Sequence, residues 1–123
     1  MKDYAEFINR LFESREQTHV FHLQTDSNAE HLALQEYYEG ILEHIDSLVE
    51  MYQGQYDIVG DYQSIQPRDY DKSDVVKYLQ ELAQWVQENK SDYIKESDTH
   101  LLTIVDEAVA LMYTTLYKLR FLK

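Results

Sequence analysis

The sequence predicts an all-α protein: one antiparallel four-helix bundle with a long crossover between its second and third helices. Three observations lead there. Apolar residues recur at spacings of three and four in four separate stretches, the pattern of helices that each bury one face. Cap and stop residues separate these stretches, namely Ser27 with Glu30, then Gly54, then the cluster Ser97-Asp98-Thr99. One interval, residues 55–71, holds Gly60, Pro67 and alternating tyrosines and aspartates, and is too long for a tight helical hairpin.

The first helix is expected over residues 3–24, where Tyr4, Ala5, Ile8, Leu11, Phe12, His19 and His22 keep helical spacing. Ser27 and Glu30 form an S-x-x-E capping box, so the second helix starts near Asn28 and runs to residue 53, with Gly54 as its stop. Its buried stripe is expected at Leu34, Tyr38, Leu42, Ile45, Val49 and Tyr52. After the crossover, a third helix is expected over 73–96 on Val75, Leu79, Leu82, Val86 and Tyr93, capped by Asp71 or Ser73. The fourth, 99–122, carries the cleanest stripe: Leu102, Val105, Val109, Met112, Leu116 and Leu119. At 123 residues the chain is read as a single domain, 1–123.

Composition then narrows the function classes. There is no cysteine, which removes disulfides, thiolate zinc sites and cysteine nucleophiles, so any metal would rest on imidazole and oxygen ligands. The formal charge of -12 disfavours direct nucleic-acid binding, which depends on Lys and Arg neutralising phosphates. Lys118, Arg120 and Lys123 form the one basic cluster. No apolar run reaches the ~20 residues needed to span a bilayer. The acidic start, Met1-Lys2-Asp3-Tyr4-Ala5-Glu6, holds no apolar signal core, so a soluble, cytoplasmic protein is expected. Glycine-rich phosphate loops, G-x-S-x-G elbows and H-E-x-x-H motifs are missing.

The chemistry-bearing residues gather between His22 and Glu50. His22 closes the first helix and His31 sits in the first turn of the second, so a tight connection brings the two imidazoles close. Asp46 and Glu50, at i and i+4, stack on one helix face. His31 and Asp46 are fifteen residues apart, roughly 22 Å at ~1.5 Å per residue, so one helix cannot take both to one ion. The histidine pair meets the carboxylate pair only through a second copy of the chain, and a two-fold interface would do this twice.

That spacing, H-L-Q-T, then H-L-A-L-Q-E-Y-Y, then D-S-L-V-E, resembles the DNA-protecting starvation proteins, the Dps-like mini-ferritins of the ferritin-like superfamily. The resemblance implies a ferritin-like bundle that assembles at least as a dimer and up to a larger shell. It also implies an iron site at the subunit boundary, with ferroxidase-type oxidation of iron(II) by peroxide or dioxygen. His22 and His31 would be the histidine ligands, and Asp46 and Glu50 the carboxylates from the dimer mate. The family's aspartate, one turn after the second histidine, falls here at Gln35, and His19 can be aligned in place of His22. Glu39, one turn past Gln35, is a candidate replacement carboxylate. Members place a short helix in the crossover, expected here within Tyr56–Ser64, and Asp98-Thr99-His100 resembles the start of their last helix. The basic N-terminal arm of some members has no counterpart, so the resemblance carries iron chemistry further than DNA protection. In a hollow assembly the acidic surplus would draw in iron(II).

Plainer readings stand beside these. Histidines at a helix junction are often structural, and D-x-x-x-E alone describes a solvated face or an ion-free interface pair. Glu16-x-x-His19 matches larger di-iron bundles, but they need a second copy that this chain lacks. His44 and His100 have no partner at ligand spacing, and the eleven tyrosines suit wet helix seams. The alternative function is therefore a non-enzymatic oligomeric bundle, structural or interacting, whose metal site has decayed.

Overall fold

Asp3 accepts the Ala5 backbone N–H at 3.2 Å and so opens α1, Tyr4–Gln24. In the computed structural model, which describes residues 1–123, three further helices follow: α2, Asn28–Gln55; α3, Val75–Tyr93; and α4, Thr99–Phe121. The fold is all-α, with four helices and no strand. None is long and apolar enough to cross a membrane.

The boundaries differ from the sequence expectations for identifiable reasons. Ser27 does cap α2, its Oγ accepting the Glu30 N–H at 3.2 Å, but the reciprocal half of the box is rerouted through Thr25. The Ser27 N–H donates to Thr25 Oγ1 at 3.1 Å, and that hydroxyl donates to the Glu30 carboxylate at 2.8 Å. Gly54 does not stop α2. No glycine takes a left-handed φ, and the helix continues to Gln55 because Gln55 and Tyr56 both anchor on Asp98. At α3, Asp71 spends its carboxylate on the Ser73 N–H and hydroxyl in a preceding turn, so the helix begins at Val75. It ends at Tyr93 because Ile94 turns extended and dives into the core.

Each helix packs on two neighbours: α1 on α2 and α3, and α4 on α2 and α3. The core between them is built from Phe7, Ile8 and Leu11 of α1, Tyr37, Ile41 and Leu48 of α2, Leu79 and Val86 of α3, and Val105 and Met112 of α4. On α2 the expected Leu34 and Ile45 are fully buried, but at three other positions the core is taken by the preceding residue. Tyr37, Ile41 and Leu48 are fully buried, whereas Tyr38, Leu42, Val49 and Tyr52 are half-buried. A Cβ on Gly40 would meet Leu111 Cδ2 at 3.0 Å, so glycine there lets α4 lie close. The Tyr37 hydroxyl donates to Ser14 Oγ at 2.7 Å, and Ser14 donates onward to the Leu11 carbonyl at 2.7 Å. Tyr37 can therefore be buried with its hydroxyl satisfied.

The connection between α2 and α3 runs back along α1. The Gln63 N–H donates to Asn9 Oδ1 at 3.2 Å, near the start of α1. Halfway along, the buried Gln17 side chain donates to the Arg68 carbonyl at 2.8 Å and accepts the Arg68 N–H at 2.9 Å. At the far end, Gln24 accepts the Tyr70 N–H at 2.6 Å and donates to Asp69 at 3.0 Å. Within Tyr56–Ser64 the Val59 N–H goes to Gln53 Oε1 at 3.0 Å and the Gln63 N–H to Asn9, and the helix expected there does not form. Val75 then packs with Phe21 and Leu34, so α3 begins beside the α1–α2 turn.

Gln17→Leu removes both bonds to Arg68 while keeping much of the side-chain volume. At about 1 kcal/mol per bond it should lower the unfolding free energy by about 2 kcal/mol in a urea titration. It should also speed proteolysis within the connection, and unchanged stability together with unchanged cleavage would show that the clamp contributes nothing.

Candidate metal centre

Only Thr25, Asp26 and Ser27 separate α1 from α2, and this shortness decides where the histidines go. The His22 and His31 rings stack face to face, with centroids 3.6 Å apart and planes 18° from parallel. Each ring is fixed by the other residue's backbone. His22 Nδ1 lies 2.7 Å from the His31 carbonyl oxygen, and His31 Nδ1 lies 2.8 Å from the His22 carbonyl oxygen. A carbonyl can only accept, so both Nδ1 atoms carry a proton, and in the neutral rings each Nε2 keeps its lone pair. Two imidazoles are thus held with ligand atoms uncommitted. Orientation through Nδ1–H to a carbonyl is the usual support of a metal-binding histidine.

Tyr38 flanks the pair. Its ring stacks on His19 at 4.2 Å and stands edge-on to His22 at 5.2 Å. His19 lies 5.9 Å from His22, centroid to centroid, so of the two alignable histidines His22 is the one that meets His31. Gln35, one turn after His31, donates to the Glu39 carboxylate at 3.1 Å. That bond fastens Glu39 to the outer surface of α2, so Glu39 is engaged away from the histidine stack.

Asp46 and Glu50 are both exposed on α2, more than four turns beyond His31. The chain by itself gathers no group of three or more His, Asp or Glu able to hold a metal ion. The structure therefore joins two of the five candidate positions, His22 and His31. Gln35 lies beside them on the next turn, and Asp46 and Glu50 stay apart.

A second polar cluster, at the opposite end of α2, went unread in the sequence. Asp98 is buried at the N-cap position of α4, yet its side chain makes no capping bond there. Its carboxylate accepts the Tyr56 hydroxyl at 2.5 Å and the Gln55 amide at 2.8 Å, while Gln55 Oε1 meets His100 Nε2 at 2.7 Å. The Tyr56 hydroxyl, then the Gln55 amide, hold the Asp98 carboxyl below the ordinary aspartate range, and the same bond raises the Tyr56 hydroxyl. The sequence offered a signal in Ser97-Asp98-Thr99, but a cap is the commoner meaning of that pattern.

Asp98 has its pKa depressed by folding, so its contribution is fully present above the unfolded value of about 3.9 and is lost as pH falls through the lower folded value. Thermal melts of the native protein and of Asp98→Asn should differ most at neutral pH and converge in acid. A gap that stays constant from neutral pH to below pH ~3 would remove the ionised carboxylate as its cause.

Compared with curated proteins and with solved structures, the chain has no match in either. A family model described as a family of unknown function, DUF5856, matches residues 22–119, a span that opens on His22, includes Gln35, Asp46 and Glu50, and closes in the last turn of α4. The chain belongs to that family.

Proposed function

We propose that this protein is a ferritin-like, Dps-like iron-binding protein that takes iron(II) as substrate at a boundary between two copies of the chain. The observation that carries the reading is the His22–His31 stack, in which both Nδ1 atoms are engaged and both Nε2 atoms are available. Two further features support it. Asp46 and Glu50 stand exposed on the outer face of α2, where a second copy can reach them, and the charge of -12 favours gathering cations.

In this reading His22 and His31 of one copy and Asp46 and Glu50 of another form a mixed nitrogen and oxygen ligand set of the kind that suits iron(II). Gln35 stands where an aspartate of the mini-ferritins would supply charge, so its amide can contribute only a neutral oxygen. Two iron(II) ions would each give one electron to one peroxide, which with two protons leaves as water. The residues' part is to hold the metal with open positions and to keep the imidazoles in one orientation.

One observation favours a different reading. The same Nδ1 bonds that orient the rings also close the α1–α2 turn, and the Gln35–Glu39 bond completes a surface that needs no ion. On that reading the protein is a non-enzymatic helical bundle and the stack is a structural clasp.

Native mass spectrometry before and after anaerobic iron(II) separates the two. The iron reading expects an assembly of two or more copies that gains iron at two sites per dimer. The His31→Ala, Asp46→Ala double variant should lose it, and Gln35→Asp should bind iron at least roughly tenfold more tightly by restoring a charged ligand. An assembly that folds and takes up no specific iron, with Gln35→Asp no better, leaves the structural reading. A monomer under all conditions removes the shared site.

A further inference from the structure

A cavity of about 190 Å³ lies at the end of the bundle away from the histidines, where the segment before α1, the ends of α2 and α3 and the first turn of α4 meet. Ile94 and Leu101, both buried, give it an apolar lining, and Tyr52, Tyr56 and Tyr93 add three rings. The space suits one ring with a small substituent, below the ~300–1,000 Å³ of pockets for drug-sized ligands.

Hydrogen bonding within the wall decides what these groups have left to offer. The Tyr56 hydroxyl is spent on Asp98, and the Tyr93 hydroxyl donates to Glu6 at 3.1 Å, so both present rings only. Asp98 stands in the same wall, but each of its carboxylate oxygens already accepts a bond, one from Gln55 and one from Tyr56. The Tyr52 hydroxyl and the Lys95 ammonium, by contrast, bond to no group of the chain. Lys95 Nζ stands 5.4 Å from the centre of the Tyr56 ring, and Lys2 Nζ, which is 3.7 Å from Asp92, stands 5.9 Å from that of Tyr93. The lining thus has two lysines to one acid, in a chain with 11 basic residues to 23 acids. A cationic ligand is disfavoured, because the ring faces it would use already carry ammonium groups. What the wall lacks is a negatively charged acceptor, and what it offers besides is flat apolar surface on which a ring can stack.

We propose that this cavity binds a small planar organic anion, an aryl monocarboxylate, with its ring among Tyr52, Tyr56, Ile94 and Leu101 and its carboxylate on the Lys95 ammonium and the Tyr52 hydroxyl. Lys2 adds a second positive charge. The site shares no residue with His22, His31, Gln35, Asp46 or Glu50, and it needs neither iron nor a second copy.

Benzoate, its neutral isostere benzamide and the cation benzylammonium are the probes, each titrated into the isotope-labelled chain and followed by amide chemical shifts. Benzoate should bind saturably with a Kd of roughly 1 mM or tighter, a range open to a ligand of about nine heavy atoms. Its shifts should concentrate at Tyr52, Tyr56, Ile94 and Leu101, and it should bind at least roughly tenfold more tightly than benzamide or benzylammonium. Lys95→Gln removes a charge that has no partner in the fold, so this variant should stay folded, keep its benzamide affinity and lose most of the preference for benzoate. Tyr52→Phe keeps the ring and should weaken benzoate severalfold, roughly the worth of one hydrogen bond. Lys77→Gln, at an exposed lysine of α3 outside the cavity, should change nothing. Absence of saturable benzoate binding, equal binding of benzamide, tighter binding of benzylammonium, or a preference that survives Lys95→Gln would each overturn the proposal. Because no arm uses iron or the histidines, failure here leaves the metal reading where it was.

Discussion

A connection of three residues, Thr25 to Ser27, governs much of this molecule. So short a link forces α1 and α2 antiparallel and sets the last turn of one beside the first turn of the other. His22 and His31 then face each other with no chain between them: the His31 ring takes the His22 carbonyl, one of those the last turn of α1 leaves unpaired, and the His22 ring shares the His31 carbonyl in the first turn of α2. The turn is closed a second time by Thr25, whose hydroxyl links the Ser27 N–H to Glu30. One geometry thus serves the junction and presents two ligand atoms, and that is why a structural and a metal reading can share the same residues.

The opposite end of the bundle is held by different chemistry. There Asp98 gathers Gln55 and Tyr56, while Tyr4 stacks on Tyr52 at 3.9 Å and donates its hydroxyl to the Leu48 carbonyl at 2.9 Å. Between the two ends the connection after α2 is laid along α1 by Asn9, Gln17 and Gln24, which are eight and seven residues apart and so fall on one face. Side-chain amides do here what a β-ladder partner would do elsewhere, pairing with both the N–H and the C=O of one residue. The connection is thereby ordered without becoming helical.

Much of this was legible in the sequence, and the losses have physical causes. The four helices followed from spacing and from Ser27, and the close approach of His22 to His31 followed from the short link. On α2, Leu34 and Ile45 were read correctly, while Tyr38, Leu42 and Val49 were named where their apolar predecessors Tyr37, Ile41 and Leu48 take the core, a choice that spacing alone does not make between adjacent apolar residues. The cluster Ser97-Asp98-Thr99 was read as a turn and N-cap, and Asp98 does hold that position, but its bonds to Gln55 and Tyr56 went unread because those partners are forty-odd residues away. Asp46 and Glu50 were placed correctly on one exposed face of α2, more than four turns from the histidines.

The polar and aromatic faces bear on assembly together. The acidic face of α2 and the aromatic face of α4 point outward from adjacent helices. A dimer that shares His22 and His31 with Asp46 and Glu50 uses α1 and α2, which leaves Tyr113, Tyr117 and Phe121 facing water. An isologous contact satisfies only the face it uses, so two separate two-fold contacts on one chain cannot both close within a dimer. A second, separate contact on the same chain would build either a closed shell or an extended array, according to the angle between the axes. In a closed shell the glutamates of α2 would crowd together near the metal seams, and that repulsion would be relieved by the cations the site is proposed to collect.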